Sequence, residues 1–214
     1  MNFSTDRDLL ALDAAVFADL PFAAQQRLRI TDGQLDGTTL LTVEGDFAAA
    51  LVTAGSVVLV DRTPYEVIER TDATTLSVSQ LRARLADPLI PAPGPAASDL
   101  TVVARTFEPQ AALVHAALLR LLGIDPDDPA AALTEEAVLS LTLMARLEAL
   151  GTLELAYASA ATTQGDNDEL RRKADHYRHR FQRELRAACV LIDTTGNGLP
   201  DETRRPGTLR LTRA

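Results

Sequence analysis

Ser56-Val-Val-Leu-Val60, Asp61-Arg-Thr-Pro64 and Tyr65-Glu-Val-Ile-Glu69 decide how the first half of the chain folds. A β-branched run, a polar turn ending in Pro, and a second apolar run read as a strand, a tight turn and a return strand. In the return strand Tyr65, Val67 and Glu69 point one way and Glu66 and Ile68 the other, so the alternation is imperfect.

Working outward, Thr39-Leu-Leu-Thr-Val43 and Thr75-Leu-Ser-Val-Ser79 have the same character, the latter with period-two alternation at Leu76 and Val78. Leu100–Phe107 reads as a last strand, whereas Phe47–Val52 is ambiguous and fits one helical turn. Residues 87–99 carry Pro88, Pro91, Pro93, Gly94 and Pro95, too many for helix or inner strand, and read as an exposed excursion. Four or five short strands at this spacing predict a small antiparallel barrel or sandwich. Upstream, Asp6–Leu12 reads as a short helix or docking segment, Asp19-Leu-Pro21 breaks it, and Gly33 and Gly37 mark a change of period.

After Phe107 the apolar period becomes helical. Pro109 suits a first helical turn, Leu113, Ala117, Leu118, Leu121 and Leu122 form the expected apolar face, and Gly123 is the stop. A second helix is predicted from Thr134 as N-cap, through Val138, Leu141, Met144, Leu147 and Leu150, to about Gly151. Thr152–Thr163 is apolar and low in charge, and reads as a further helical turn or a packed arm. The third helix has the strongest signal. Asp166 and Glu169 make an Asp-x-x-Glu start, and Leu170, Ala174, Tyr177, Phe181, Leu185 and Ala188 step by three or four.

The expected fold is therefore α+β. An N-terminal segment (1–29) packs on the rest, followed by a small β-barrel or sandwich module (30–107), an α-helical bundle (108–190), and a polar loop with an extended C-terminal arm (191–214).

Hydrophobic residues make up 46% of the 214, enough for a core, while aromatics are only 4% and Trp is absent. Such a core is aliphatic and Ala-rich, which suits closely packed helices. The net charge of −9 argues against a free-standing nucleic-acid binder. The charge is polarised: residues 168–214 hold 11 Lys+Arg against 7 Asp+Glu, and residues 1–167 hold 10 against 23. The single Cys189 excludes an internal disulfide and reads as a small core residue on a helix. The N-terminus lacks the basic start and apolar run of a signal peptide, and no stretch reaches the roughly 18 apolar residues of a membrane span. A soluble protein made in the cytoplasm is expected.

Catalytic patterns are missing from the sequence: no Gly-rich phosphate loop with Lys-Ser/Thr, no His-Glu-x-x-His and no Gly-x-Ser-x-Gly. His176 and His179 stand i, i+3 on a helix, but their neighbours are mainly Arg and Lys, which repel a cation. Asp193, Thr195, Asn197 and Asp201 imitate the first positions of a calcium loop, with Gly198 nearby; Arg204 stands where a bidentate acid is needed. Two readings remain, a weak calcium site and a self-supporting Asx-type turn, and the missing acid favours the turn. Thr208-Leu-Arg-Leu-Thr-Arg213 alternates and can act as an edge strand, in this chain's own sheet or a neighbour's.

Several short motifs together resemble a family of tailed-phage proteins encoded among the head and neck genes. They are Asp6-Arg-Asp-Leu-Leu-x-Leu12 with Phe17, Gly37-Thr-Thr-Leu40, Ala54-Gly-Ser-Val-Val-Leu-Val60 with Tyr65-Glu-Val67, and Leu76-Ser-Val-Ser79. At the end come Tyr177-Arg-His-Arg-Phe181, Leu191-Ile-Asp193, Gly196-Asn-Gly198, Asp201, Arg204 and Leu209-Arg-Leu-Thr-Arg213. The helical half is similar to head–tail connector (adaptor) proteins. The resemblance implies a non-enzymatic virion protein of the neck, assembled as a ring, typically a dodecamer, beneath the portal protein. Such a ring extends the channel for genomic DNA without reading its sequence and presents a platform to a further neck or tail-terminator protein, with no membrane involved. Carried over, Arg204, Arg205, Leu209, Arg210, Leu211 and Arg213 form the portal-docking arm, and Arg171, Arg172, Arg178, Arg180 and Arg183 take part in ring packing. The competing expectation is a cellular β/α interaction module that binds calcium or a peptide.

Overall fold

A computed structural model describes residues 2–20, 22–128, 131, 133–163 and 167–206. The protein is α+β, and its contacts divide it into two units: Thr5–Phe107, and Met1–Ser4 together with Glu108–Ala214. The segment expected at 1–29 is thus shared out, its first residues going with the helices and the remainder with the strands.

The first unit opens with two short helices, α1 (Asp6–Leu12) and α2 (Val16–Asp19). Six strands follow: β1 (Gln26–Asp36), β2 (Thr39–Leu41), β3 (Val57–Val60), β4 (Thr63–Arg70), β5 (Thr75–Ser79) and β6 (Ala97–Arg105). They form a closed antiparallel barrel in the order β1-β2-β5-β4-β3-β6. The Val57–Arg70 hairpin falls where the sequence put it, with Val60 paired to Thr63 across the two-residue turn Asp61-Arg62. Ile30, Leu40, Phe47, Val58, Val60, Tyr65, Val67, Leu76, Val78, Val102 and Ala104 fill the interior.

β1 is the strand that the sequence conceals, and the barrel starts at Gln26 rather than at residue 30. Its text, Gln-Arg-Leu-Arg-Ile-Thr-Asp-Gly-Gln-Leu-Asp, has few β-formers and no clean alternation. It bends through register shifts around Gly33 to pair with β6 along most of its length and with β2 at its end. Gly33 is what permits the bend: a Cβ there would lie 2.4 Å from Val102 Cγ2 and 2.9 Å from the Leu100 carbonyl oxygen. The ambiguous Phe47–Val52 stretch is a series of turns that buries Phe47 and Val52.

Glu66 explains the imperfect alternation of β4. It faces away from the barrel interior, yet has no exposed surface. Its carboxylate accepts from Arg7 Nε of α1, from Arg82 Nε at 2.6 Å and from the Arg82 amide at 3.1 Å. Arg7 also donates to the Arg82 carbonyl at 2.7 Å, and Arg82 to the Leu85 and Asp87 carbonyls. The network ties α1 and the post-β5 loop to the barrel wall.

The second unit holds α3 (Glu108–Leu121), α4 (Leu141–Thr163) and α5 (Asp168–Ala187), then a hairpin of β7 (Val190–Ile192) and β8 (Glu202–Arg204). α4 packs against both α3 and α5. It does not end at Gly151 but runs through Thr163, and Glu148–Leu153 is buried without interruption. Gly151 lies at the closest approach: a Cβ there would sit 2.7 Å from Val114 Cγ1 of α3 and 3.4 Å from Phe181 Cε2 of α5. The residue that looked like a stop is a crossing point.

Of the face expected on α3, Leu118 and Leu122 are buried, but the rest of the stripe is turned to another set of residues. Ala111, His115, Leu118 and Leu119 are buried, whereas Leu113 and Leu121 are 66% and 49% exposed. A histidine in the true stripe made the other stripe look more apolar than the one that packs. α5 follows its predicted seam, with Leu170, Ala174 and Tyr177 buried and the Tyr157 and Tyr177 rings stacked at 5.8 Å. Asn167 caps it, accepting from the Glu169 and Leu170 amides; Asp166 lies outside the described residues.

Cys189 is exposed and not in the core. α5 ends at Ala187, and from there the chain is extended, so Ala188, Val190 and Ile192 turn inward while Cys189 and Leu191 turn outward.

Glu66→Gln should lower the stability of the barrel unit by about 3 kcal/mol, because it leaves two buried guanidiniums without their anion. Urea unfolding followed by tyrosine fluorescence measures this, and a loss near zero would mean that the network is not what fastens α1.

Candidate docking face

α5 carries the charge that the sequence concentrates at this end. Its buried seam fixes the helix on α4, and two ion pairs fasten the flanks: Arg146 on Glu184 at 2.6 Å and Arg178 on Glu154 at 2.9 Å. Arg178 also lies 3.5 Å from Asp175. Arg178, expected in ring packing, is therefore engaged within its own subunit, and both pairs raise the arginine pKa through hydrogen bonding to the carboxylate. Arg171 likewise has interactions within the chain. Arg172 stands exposed near the start of the helix.

Three further arginines of α5, Arg180, Arg183 and Arg186, line a shallow groove with His176, His179, Gln182 and Ala187. Among the described residues no carboxylate lines it. Arg180 lies over the Tyr177 ring and His176 meets the same ring edge-on, so two of these groups are oriented by Tyr177. His179 is held by its Nδ1 on the Asp175 carbonyl at 2.7 Å. The arrangement is a row of arginines and histidines set by helix periodicity on one helix, fit to meet an acidic surface. The expected Arg180 and Arg183 belong to it; His176, His179 and Arg186 join them, and their helical spacing from Arg183 was the signal available in sequence.

The calcium-like loop connects β7 to β8. Asp193 Oδ1 accepts from the amides of Thr195 at 3.1 Å, Gly196 at 2.7 Å and Asn197 at 3.2 Å, and Oδ2 accepts from the Gly198 amide at 2.5 Å. Burial opposes the Asp193 charge, but these four amides outweigh it and hold the pKa below the ordinary range. Asn197 Oδ1 accepts from the Leu199 amide at 2.8 Å, and Asp201 accepts from the Thr194 amide and hydroxyl at 2.9 and 2.8 Å. Three of the four candidate ligands thus aim their oxygens at the loop's own N–H groups, the geometry of an Asx-type turn. Among the described residues no three of His, Cys, Asp or Glu stand together as a metal-binding group.

Arg204, expected in the free arm, is a β8 residue. Its Nη1 donates to the Leu122 carbonyl, near the C-terminal end of α3, and its Nη2 pairs with Glu202 at 3.0 Å. Ile192 also bridges to Val138, so the hairpin and the segment before α4 form one small antiparallel patch over the core of this unit. Arg205 is exposed and has interactions within the chain. Leu209, Arg210, Leu211 and Arg213 lie outside the described residues.

A polar cluster in this unit has no signature in the sequence. Glu148 has no exposed surface and accepts from the Phe3 amide at 3.1 Å, the Ser4 amide at 2.9 Å and the Ser4 hydroxyl at 2.7 Å. His115 Nδ1 faces it at 2.8 Å and His115 Nε2 faces Glu135 at 3.3 Å. Burial disfavours the charged ring, but the Glu148 hydrogen bond and the charges of Glu148 and Glu135 outweigh it, and the His115 pKa is raised from its ordinary 6.5. Every oxygen of Glu148 is taken and the ring is wedged between two acids, so the cluster clasps residues 3–4 and offers no open position to a substrate.

No protein-family model, no curated protein and no solved structure matches the chain.

Two outcomes follow from this geometry. A folded-state pKa above the unfolded value means that the charged His115 contributes stability fully below pH 6.5 and loses it as pH rises through the folded value. Stability of the helical unit should therefore fall as pH rises above 6.5, and His115→Gln should flatten that fall, as measured by urea unfolding at a series of pH values. Millimolar calcium should leave the thermal midpoint of the protein unchanged, because binding would require Asp193 to give up its amide donors; scanning calorimetry with calcium and with chelator makes the comparison.

Proposed function

We propose that the protein is a structural, non-catalytic connector of a phage virion, forming a ring on the portal protein in the neck. The observation that carries this reading is the groove on α5, where exposed His176, His179, Arg183 and Arg186 and half-buried Arg180 stand on a helix seated by its opposite face. A rigid cationic face on an otherwise acidic chain is suited to meeting the acidic part of a second copy, with residues 1–167 supplying the opposite sign.

The resemblance in the sequence supplies the rest. In this reading the helices are the adaptor bundle, the barrel is an added module, and the residues beyond the β8 strand are the arm that docks on the portal. Arg204, bound to the Leu122 carbonyl, anchors the base of that arm; Arg205, Leu209, Arg210, Leu211 and Arg213 are its contact residues. A ring of copies, taken as twelve, continues the DNA channel and receives a further neck or tail-terminator protein. An acidic lumen suits this role, because phosphates that meet no cations are not trapped and the polymer slides.

The test mixes the purified protein with its portal and weighs the product by mass photometry. The intact chain is expected to give a ring-sized complex. Deleting residues 207–214 should abolish it, and Arg180→Glu with Arg183→Glu should leave single copies on the portal in place of a ring. A doubly substituted protein that still closes the ring overturns the α5 assignment, and a deletion that still binds overturns the arm.

A further inference from the structure

The outer wall of the barrel holds a second cationic feature, unrelated to α5. Beside α2, which packs on β3, a cavity of about 500 Å³ opens over β1, β6 and β3. Leu59, Val103 and Ala18 give it an apolar floor, and Arg29, Arg62 and Arg105 stand around it with Asp61 and Thr101.

The register explains the grouping. Arg29 pairs with Val103, and Val103 with Leu59, so the three side chains stand in a row on one face. Arg105, two residues beyond Val103, emerges on the same face. Arg62 is placed by the β3–β4 turn, where Asp61 and Arg62 both take positive φ, 45° and 71°. Such turns favour glycine or asparagine. This one is pinned by Thr101, whose amide donates to the Asp61 carboxylate at 2.9 Å and whose carbonyl accepts from the Asp61 amide at 2.9 Å.

Among the described residues none of these guanidiniums is paired with a carboxylate. The Arg29 and Arg62 side chains make no ion pair or hydrogen bond among the described residues. Arg105 donates one Nη1 bond to the Phe17 carbonyl at 2.5 Å, while its Nε is buried with no acceptor. Burial and the neighbouring Arg29 charge both depress the Arg105 pKa, the mark of guanidiniums crowded without an anion between them. Against three positive charges stands the single carboxylate of Asp61, which leaves an excess of two. A phosphate monoester carries about −1.5 to −2 near neutral pH and fits forked guanidinium donors. The surroundings argue against a long polyanion, since residues 5–107 hold eight Arg, no Lys and fourteen Asp+Glu. The volume is that of a small-molecule pocket.

We propose that this cavity binds a small phosphate monoester with an apolar or aromatic body, of nucleoside monophosphate size. Arg29, Arg62 and Arg105 hold the phosphate, and the body rests on Leu59 and Val103.

The probes are AMP, adenosine, inorganic phosphate and a short single-stranded DNA, each titrated into the full chain and followed by 1H–15N NMR. AMP should shift the Arg29 and Arg62 side-chain Nε–H resonances, inorganic phosphate should compete with it, and adenosine should bind at least about tenfold more weakly than AMP. Arg29→Gln with Arg62→Gln, both exposed positions, should weaken AMP by at least about tenfold and leave the unfolding midpoint in place. If the midpoint moves, the side-chain shifts in the unaltered protein decide the matter. Silence with about 10 mM AMP and phosphate, well above the millimolar end of the affinity scale, overturns the site. So does AMP affinity that survives the double substitution. Tighter binding of the oligonucleotide than of AMP through the same arginines overturns the small-ligand assignment.

Discussion

A carboxylate without exposed surface must be met by donors from its own chain, and each unit of this protein contains one. Glu66 on the barrel wall is met by Arg7 and Arg82, and Glu148 in the middle of α4 by Phe3, Ser4 and His115. Both draw on the first few residues of the chain, which is why so short a leading segment is ordered. The cost of stranding either carboxylate far exceeds that of displacing a surface pair, so these clusters fix where the leading residues go. Neither has an open coordination position or an unoccupied acceptor, which separates buried ionisable groups used for attachment from those poised for chemistry.

With burial settled in this way, the charges left on the surface carry the functional information. On α5 the apolar seam and the flanking pairs to Glu154 and Glu184 use up one side of the helix, and the groove on the other side is lined by basic side chains with no carboxylate among the described residues. On the barrel, closure places Arg29, Arg62 and Arg105 around one apolar floor although they come from three separate stretches. The first feature is a line and suits an extended surface. The second is a cup and suits a compact ligand.

The misreadings in the helical half have physical causes. α5 has a single narrow seam and could be read directly. α4 is buried on most sides through its middle, so no stripe marked its second half, and its glycine resembled an end when it marks a contact with α3 and α5. In α3 the buried stripe includes His115, whose partner Glu148 lies on another helix. The loop after β7 showed its alternating oxygens plainly; whether those oxygens pointed at a cation or at their own amides was a matter of backbone path.

Local chemistry in the chain determined what short-range forces decide: the Val57–Arg70 hairpin, the strands at Thr39, Thr75 and Leu100, the seam of α5, and the gathering of positive charge toward the C-terminus. Only the tertiary structure decided the rest. Barrel closure made a strand of Gln26–Asp36, whose composition argues against one, because its two neighbours on either side supply the hydrogen bonds that its own side chains do not promote. Helix packing extended α4 past Gly151, and a distant carbonyl at Leu122 drew Arg204 into the fold. Each of these depends on atoms far apart in sequence, and no local pattern records such a meeting.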